Sequence, residues 1–552
     1  MTRTCRFLIA GLCALSTVTA LPAQDYYEGL RAEWLRKAEA GRPQLHETLH
    51  RPVRCAEILP DSSAYQGWKA ESLPREMIYN NSVCDLSGIV ADFGEHLTGY
   101  VSFSLSSLDV TPGAPVRLKF TFAETPAELG ISFENYAGSL GRAWLQDETV
   151  TVMTIGDTIT IPRRLAFRYA RIEVLGRPHY NFRFTELVCR AVTSAADTPE
   201  PLPEDTDPLI REIDRVGLAT LRECMQTVYE DGPKRDQRLW IGDLYLEALA
   251  NDYSYRQQDL TRRCLYLLAG CSDLTGVLAG TLLERPEPHA QYRQFLLDYS
   301  LLYNVALKNY LTETGDRQTA EDLWPVAVRQ LKNVLPYLQE NGLLDYEKAN
   351  REWWIFFDWR DGLHKEVSLQ GLTVFAFKET LELGRLLGRE KEIEYLKEPI
   401  VRMTAAARKY FLGRKTGLYV GTTGSQVSCS SQVWMILSGI ASDKEGQRAL
   451  RALSATEQAV LPGTPYANHY YIQALIDCGM HSEARAAMIA YWGGMVHKGA
   501  DTFWEAYSPD DDFLSPYGFC PMNSYCHAWS CTPVYFIRKY PGIFLKERPH
   551  KP

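Results

Sequence analysis

The spacing of apolar residues changes period once along this 552-residue chain, and that change constrains the fold more than any other feature. From about 83 to 192 the pattern alternates. Val101-Ser-Phe-Ser-Leu, Val116-Arg-Leu-Lys-Phe-Thr-Phe, Val150-Thr-Val-Met-Thr-Ile and Arg168-Tyr-Ala-Arg-Ile-Glu-Val each send successive side chains to opposite faces, with Thr111-Pro-Gly and Gly156-Asp in the gaps. Short alternating strands at this spacing predict an antiparallel β-sandwich. Residues 195–207 (AADTPEPLPEDTD) form a Pro- and acid-rich linker. Beyond it, apolar residues recur every three to four positions in 209–229, 244–268, 292–314, 320–340, 369–387, 391–411, 431–440 and 466–478. Helices joined by loops rich in Trp, Gly and Asp over 208–545 predict a toroid of paired helices, whose inner helices present their N-terminal loops to one pocket.

The segment 1–23 has the form of a secretory leader, with Arg3 and Arg6 ahead of the apolar run 7–15 and small residues at 18–20 or 21–23. No later stretch offers 18 uninterrupted apolar residues, so an exported chain without a membrane span is expected. The domain reading is a leader at 1–23, an N-terminal segment and sandwich at 24–194, a linker at 195–207 and the toroid at 208–545. Lys and Arg number 59 against 68 Asp and Glu, a net charge of −9 that argues against a general nucleic-acid binder. Of thirteen Cys, two fall in the leader, and the remaining eleven are odd in number with no CxxC pair. Cys520, Cys526 and Cys531 cluster among aromatic residues without the paired ligands of a zinc site. Neither a structural metal, a cofactor nor a disulfide framework is expected, and no pattern fixes an oligomeric state.

Three segments concentrate chemistry. In 230–243, Asp231, Asp236 and Asp243 stand among Lys234, Arg235 and Arg238, with Trp240 between. Such a loop supplies what glycoside cleavage needs: an acid for the leaving oxygen, carboxylates for sugar hydroxyls and a flat apolar face for the ring. The same residues would also serve as a solvated charge run at a helix start. In 351–365, Trp353, Trp354, Trp359 and two Phe surround Asp358, Arg360 and Asp361. That composition suits a sugar subsite built on Trp353, Asp358 and Trp359, or an aromatic helix packed into the toroid. The third segment runs from Tyr491-Trp-Gly-Gly to Trp504-Glu505 and on to His527. Glu505, flanked by Trp504, suits a concave site that holds a water, while the triplet Asp510-Asp511-Asp512 reads as a solvated loop in preference to a calcium site.

Together these segments resemble the bacterial α-L-rhamnosidases, the inverting six-hairpin glycosidases of glycoside hydrolase family 78. Val90-Ala-Asp-Phe-Gly-Glu-His-Leu-Thr-Gly-Tyr and Phe167-Arg-Tyr-Ala-Arg-Ile are similar to the family's sandwich signatures. Asp231-Gly-Pro-Lys-Arg-Asp is similar to its acidic loop, and Leu461-Pro-Gly-Thr-Pro, Trp492-Gly-Gly-Met-Val and Thr502-Phe-Trp-Glu505 to its late segments. The resemblance implies an (α/α)6 toroid, with Glu505 the general base, Asp231 and Asp243 holding the sugar, and Trp240 and His527 lining the subsite. The family's acid is a Glu after an Arg-Asp pair, a position that reads Gln237 here, in a loop one residue shorter before Gly242-Asp243. Counting back from Asp243 puts Asp236 in the acid slot, beside Arg235. The expected partner is an oligosaccharide or glycoside ending in α-L-rhamnose or a similar deoxyhexose or uronate.

Two other classes remain open at this point. A polysaccharide lyase on a helical toroid would use Tyr525, His527 and Arg360 around a uronate. A glycan-binding protein without catalysis would follow from the amide at Gln237.

Overall fold

The structure, a computed structural model, describes residues 25–545 apart from 87, 109–114, 135, 177–180 and 292. The leader read at 1–23 lies outside the described residues. Among the described residues nine strands build the N-terminal domain: β1 His46–His50, β2 Arg54–Pro60, β3 Trp68–Leu73, β4 Val90–Ser107, β5 Val116–Ala123, β6 Asp147–Val152, β7 Ile159–Thr160, β8 Leu165–Val174 and β9 Phe182–Thr193. Every pairing is antiparallel.

The long strand β4 joins two layers. Residues 90–99 pair with β8, and 99–107 pair with β9, with a break in register between Asp92 and Leu97. Gly99 belongs to both ladders, opposite Leu165 and Ala191. A Cβ there would lie 2.3 Å from the Arg190 carbonyl oxygen, so only glycine fits the crossing. The alternating residues found in the sequence fill the space between the layers, Phe103 against Phe120 (centroids 5.0 Å apart) and Phe167 against Phe122 (4.9 Å).

The helical domain is a closed ring of hairpins. Its inner wall consists of Ile241–Asp252, Leu297–Thr314, Glu366–Leu387, Cys429–Leu437, Pro465–Asp477 and Pro533–Lys539. Outside them lie Pro208–Cys224, Gln258–Gly270, Arg317–Val334, Lys397–Tyr410, Asp443–Ser454 and His481–His497. Burial separates the two sets. Leu297–Thr314 is buried almost all round, whereas Asp443–Ser454 buries only Gly446, Ala449, Leu450 and Leu453, one stripe at helical spacing. Pro208–Cys224 packs on both His481–His497 and Pro533–Lys539 and so closes the ring. Among the described residues no helix is long and apolar enough to cross a membrane.

Two features differ from the sequence reading. The periodic run 244–268 is not one helix. The side chain and carbonyl of Asn251 take the amides of Gln257, Ser254 and Arg256, and Arg256 turns left-handed (φ 57°), so the chain reverses into a hairpin. The segment before β1 also belongs with the toroid: helix Arg31–Ala40 lies on Gln258–Gly270 and buries Trp34 and Ala38 there.

Candidate active site

The acidic loop between Pro208–Cys224 and Ile241–Asp252 is folded around one carboxylate. Asp231 accepts the amides of Asp236 (3.0 Å) and Arg238 (3.1 Å), and its carbonyl accepts that of Ala528 (2.7 Å). Burial and the neighbouring charge of Asp236 push the Asp231 carboxyl well above its ordinary value. A Cβ at Gly232 would come within 2.5 Å of the Arg235 carbonyl oxygen, so the turn needs glycine. Gln237 is left-handed (φ 59°), and its amide donates to the Pro233 carbonyl (2.8 Å), back into its own loop. The residue that faces the ring's central cavity is therefore Asp236, with Gln237 turned away.

Arg235 links the two halves of the site. Its almost fully buried guanidinium donates to Glu505 Oε2 (2.6 Å) through Nη2, to Asp236 Oδ1 (3.2 Å) through Nη1 and to the Met522 carbonyl (3.0 Å) through Nε. Glu505 also accepts from the Tyr517 hydroxyl and from the Ser524 amide (3.2 Å). Burial works to raise the Glu505 carboxyl, but Arg235, His527 and these hydrogen bonds outweigh it and hold it below its ordinary value. Glu505 is thus kept ionised in a buried setting, the state a general base requires.

Asp243 sits in the first turn of Ile241–Asp252, with His527 Nε2 3.4 Å from its Oδ1. Burial raises the Asp243 carboxyl against the pull of His527. Burial also disfavours a charge on His527, yet Asp243, Glu505 and Asp231 together push the imidazole above its usual range. Trp529 stacks near the imidazole (4.3 Å) and donates its indole N–H to the Glu505 carbonyl (3.0 Å).

The cavity, which with the solvent in its open mouth takes up about 390 Å³, is lined by Asp231, Arg235, Asp236, Trp240, Asp243, Trp359, Glu505 and His527. Trp240 Nε1, Trp359 Nε1 and His527 Nδ1 are buried without a hydrogen-bond partner among the described residues, and Asp243 Oδ1 and His527 Nε2 have only each other. Buried polar atoms of both donor and acceptor type, set among aromatic faces, suit a hydroxyl-rich ring.

Three expected site residues are placed elsewhere. Trp353 turns outward and donates to the Tyr337 hydroxyl (2.9 Å). Asp358 is buried as an anchor for the start of Pro465–Asp477, accepting from the Gly463 amide and the Thr464 hydroxyl (both 2.7 Å). Trp504 stacks on Tyr65 of the N-terminal domain (4.3 Å) and is core. The cavity instead recruits Leu296, Tyr299, Trp354, Phe356, Tyr517 and Trp529. Trp354 and Phe356 lie two apart on an extended segment bridged to Leu296, so an alternating reading of 353–356 would have found them. Tyr517 lies in a long loop with no pattern to mark it.

The lyase set does not converge. Tyr525 is buried with its hydroxyl on Gln66 and the Cys520 carbonyl, and Arg360 binds the Leu461 and Pro462 carbonyls outside the cavity. Asp512 pairs with Lys498, and no group of three or more His, Cys, Asp or Glu suited to a metal ion occurs among the described residues.

Residues 52–191 match the family described as the glycosyl hydrolase family 78 alpha-rhamnosidase N-terminal domain. Residues 204–540 match the bacterial alpha-L-rhamnosidase 6 hairpin glycosidase domain. A rhamnosidase from Klebsiella oxytoca, solved with rhamnose bound, is 38% identical, with a TM-score of 0.87 over 92% of this chain and 99% of that one. A GH78 family rhamnosidase of Bacillus sp. GL1 (21% identity, TM-score 0.69) is covered over 49% of its length by 85% of this chain. The Streptomyces avermitilis alpha-L-rhamnosidase (16% identity, TM-score 0.63) is covered over 44% by 90% of it. These last two share the fold. No curated protein sequence matches the chain.

Proposed function

Because the chain belongs to the bacterial α-L-rhamnosidases of glycoside hydrolase family 78 and is a glycoside hydrolase, we propose that its cavity removes a terminal α-L-rhamnosyl residue by single displacement with inversion. The observation that carries this reading is the guanidinium of Arg235 between Asp236 and Glu505. Its contacts of 3.2 and 2.6 Å keep the nearest carboxylate oxygens of the two residues no more than about 8 Å apart, allowing ~1.3 Å for each guanidinium C–N bond. Inverting enzymes have a carboxyl separation of roughly 6.5–9.5 Å and retaining ones about 5–5.5 Å, so this bound admits the water that inversion needs, and the family's single-displacement chemistry is what favours inversion over retention.

In this mechanism ionised Glu505 takes a proton from a water as the water attacks the anomeric carbon. Asp236 gives its proton to the departing glycosidic oxygen on the opposite face of the ring. Asp231, Asp243 and His527 hold the sugar hydroxyls, and Trp240, Trp354 and Trp359 hold its apolar faces. The leader at 1–23 would direct the enzyme to a secreted or periplasmic glycan.

Reducing-sugar release from a panel of rhamnose-capped glycosides, with Glu505→Gln alongside, tests the reading. Release by the wild type alone is expected, with the β-anomer appearing first in proton NMR of fresh product. An α-anomer first would exclude inversion, and no release from any rhamnoside would exclude the substrate.

A further inference from the structure

The acidic loop is held from outside the toroid. Lys234, next in the chain to Arg235, is almost fully buried, and its ammonium lies 2.8 Å from both Glu124 Oε2 and Glu128 Oε1 of the N-terminal domain. Both glutamates sit where β5 runs into the short helix Pro126–Gly130. The other oxygen of Glu128 takes the backbone amides of Glu124 (2.6 Å) and Thr125 (3.0 Å), so the turn is shaped before it meets Lys234. Glu124 Oε1 contacts His96 Nε2 (3.0 Å), and Oε2 accepts the Tyr525 amide (2.7 Å).

That last contact reaches the other half of the site. Ser524, beside Tyr525, donates its hydroxyl to the Arg235 carbonyl (2.7 Å) and its amide to Glu505, and its own carbonyl accepts the Glu505 amide (2.9 Å). Glu124 therefore touches the segment that carries Asp236, through Lys234, and the segment at Ser524 and Tyr525 that is hydrogen-bonded to Glu505, and Lys234 fastens the first of them. A plain domain interface has no need to bury a lysine and two glutamates, because desolvating three charges costs more than apolar packing would. Such a cluster fixes position: its hydrogen bonds hold only in one arrangement. Burial disfavours the Lys234 charge, but the two carboxylates more than restore it.

We propose that Glu124, Glu128 and Lys234 are positioning residues for catalysis, a strut through which the β-sandwich sets the placement of Asp236 and Arg235 against Glu505. This rests on the function proposed above, and the test separates the two.

Glu128→Gln keeps the shape of the side chain, but an amide can satisfy either the two backbone amides or Lys234, not both. Lys234→Met/Glu128→Gln restores charge balance and keeps the turn while removing the bridge. Each variant is compared with the wild type for kcat and KM on an aryl α-L-rhamnoside, and for amide hydrogen exchange over 231–238. Both variants are expected to lose tenfold or more in kcat with KM within threefold, and to exchange faster over 231–238. A double variant with wild-type kcat and exchange would overturn the proposal, since the cluster would then serve stability alone. If the wild type itself releases no rhamnose, the functional reading falls. Exchange then decides: unchanged protection over 231–238 overturns the strut, and loss of protection upholds it.

Discussion

Arg235 and Glu505 meet at 2.6 Å with both side chains almost fully buried, although 270 residues separate them in the chain. The pair has two tasks, since the same guanidinium also reaches Asp236. Arg235→Lys keeps a charge but loses the planar fork that serves both carboxylates. We expect kcat/KM to fall at least a hundredfold. Loss of the 2.6 Å hydrogen bond to Glu505, which the shorter ammonium does not reach, lets burial raise the Glu505 carboxyl, so the acid limb of the pH–kcat/KM profile should move to higher pH. An unmoved limb would mean that Arg235 does not set the ionisation of Glu505.

Asp236 and Gln237 are adjacent but face different ways, and this separates their roles. Asp236→Asn and Glu505→Gln should each reduce kcat by about 10²–10⁴, the usual contribution of general acid–base catalysis, with melting temperatures little changed. Gln237→Ala should stay within threefold of wild type, because the amide only braces Pro233. Steady-state kinetics on one aryl rhamnoside distinguishes the three. A large loss from Gln237→Ala would reverse the assignment.

Trp353 and Trp354 offer a second such contrast. Trp354 lines the cavity and is 36% exposed, whereas Trp353 is tied to Tyr337 on the outside. Trp354→Ala should raise KM about tenfold with little loss of stability, in keeping with roughly 1 kcal/mol or more for an aromatic contact. Trp353→Ala should leave KM unchanged and lower the melting temperature. Equal effects on KM would remove Trp354 from the subsite.

Asp298 predicts how stability depends on pH. It is buried in the first turn of Leu297–Thr314, where one oxygen accepts the Phe356 amide (3.1 Å) and the other is unpartnered. Burial lifts its carboxyl to about 7 from an ordinary 3.8. The folded state therefore binds more protons than the unfolded one between those values, and stability falls as pH rises through this window. Asp298→Asn should flatten that decline and raise stability at pH 8 by up to about 4 kcal/mol, at roughly 1.4 kcal/mol for each of the about three pKa units between those values. Thermal melts of both proteins from pH 4 to pH 8 measure it, and parallel curves would show that Asp298 is ionised in the folded chain at no cost.

What the sequence made legible was whatever lies within one run of residues. The alternation of β4, β5 and β8 is visible because period two needs no partner to be seen. Asp231, Arg235, Asp236, Trp240 and Asp243 fall within one short stretch, a loop and the start of the helix after it, at spacings that chemistry recognises. Helix His481–His497 escapes the periodic reading because Gly493 and Gly494 interrupt it. Both are there for packing: a Cβ at Gly494 would come within 2.5 Å of the Tyr507 hydroxyl, and one at Gly493 within 3.2 Å of Leu209. The sorting of the Trp-rich segment depends on which residues of an extended stretch point inward, and a helical reading gets that wrong. Least visible is the bond between Lys234 and Glu128, because nothing local marks a buried lysine's partners 106 residues away.

Closure of the ring has a consequence for biosynthesis. Pro208–Cys224 packs most heavily against His481–His497 and Pro533–Lys539, and the chain that follows it meets Glu505 through Arg235 and His527 through Asp243 across the same seam. A nascent chain halted between Ile241–Asp252 and His481–His497 carries Asp236 but neither Glu505 nor the wall that faces it. The two halves of the cavity thus come together only once Pro533–Lys539 has been made, and products truncated before it are expected to be silent.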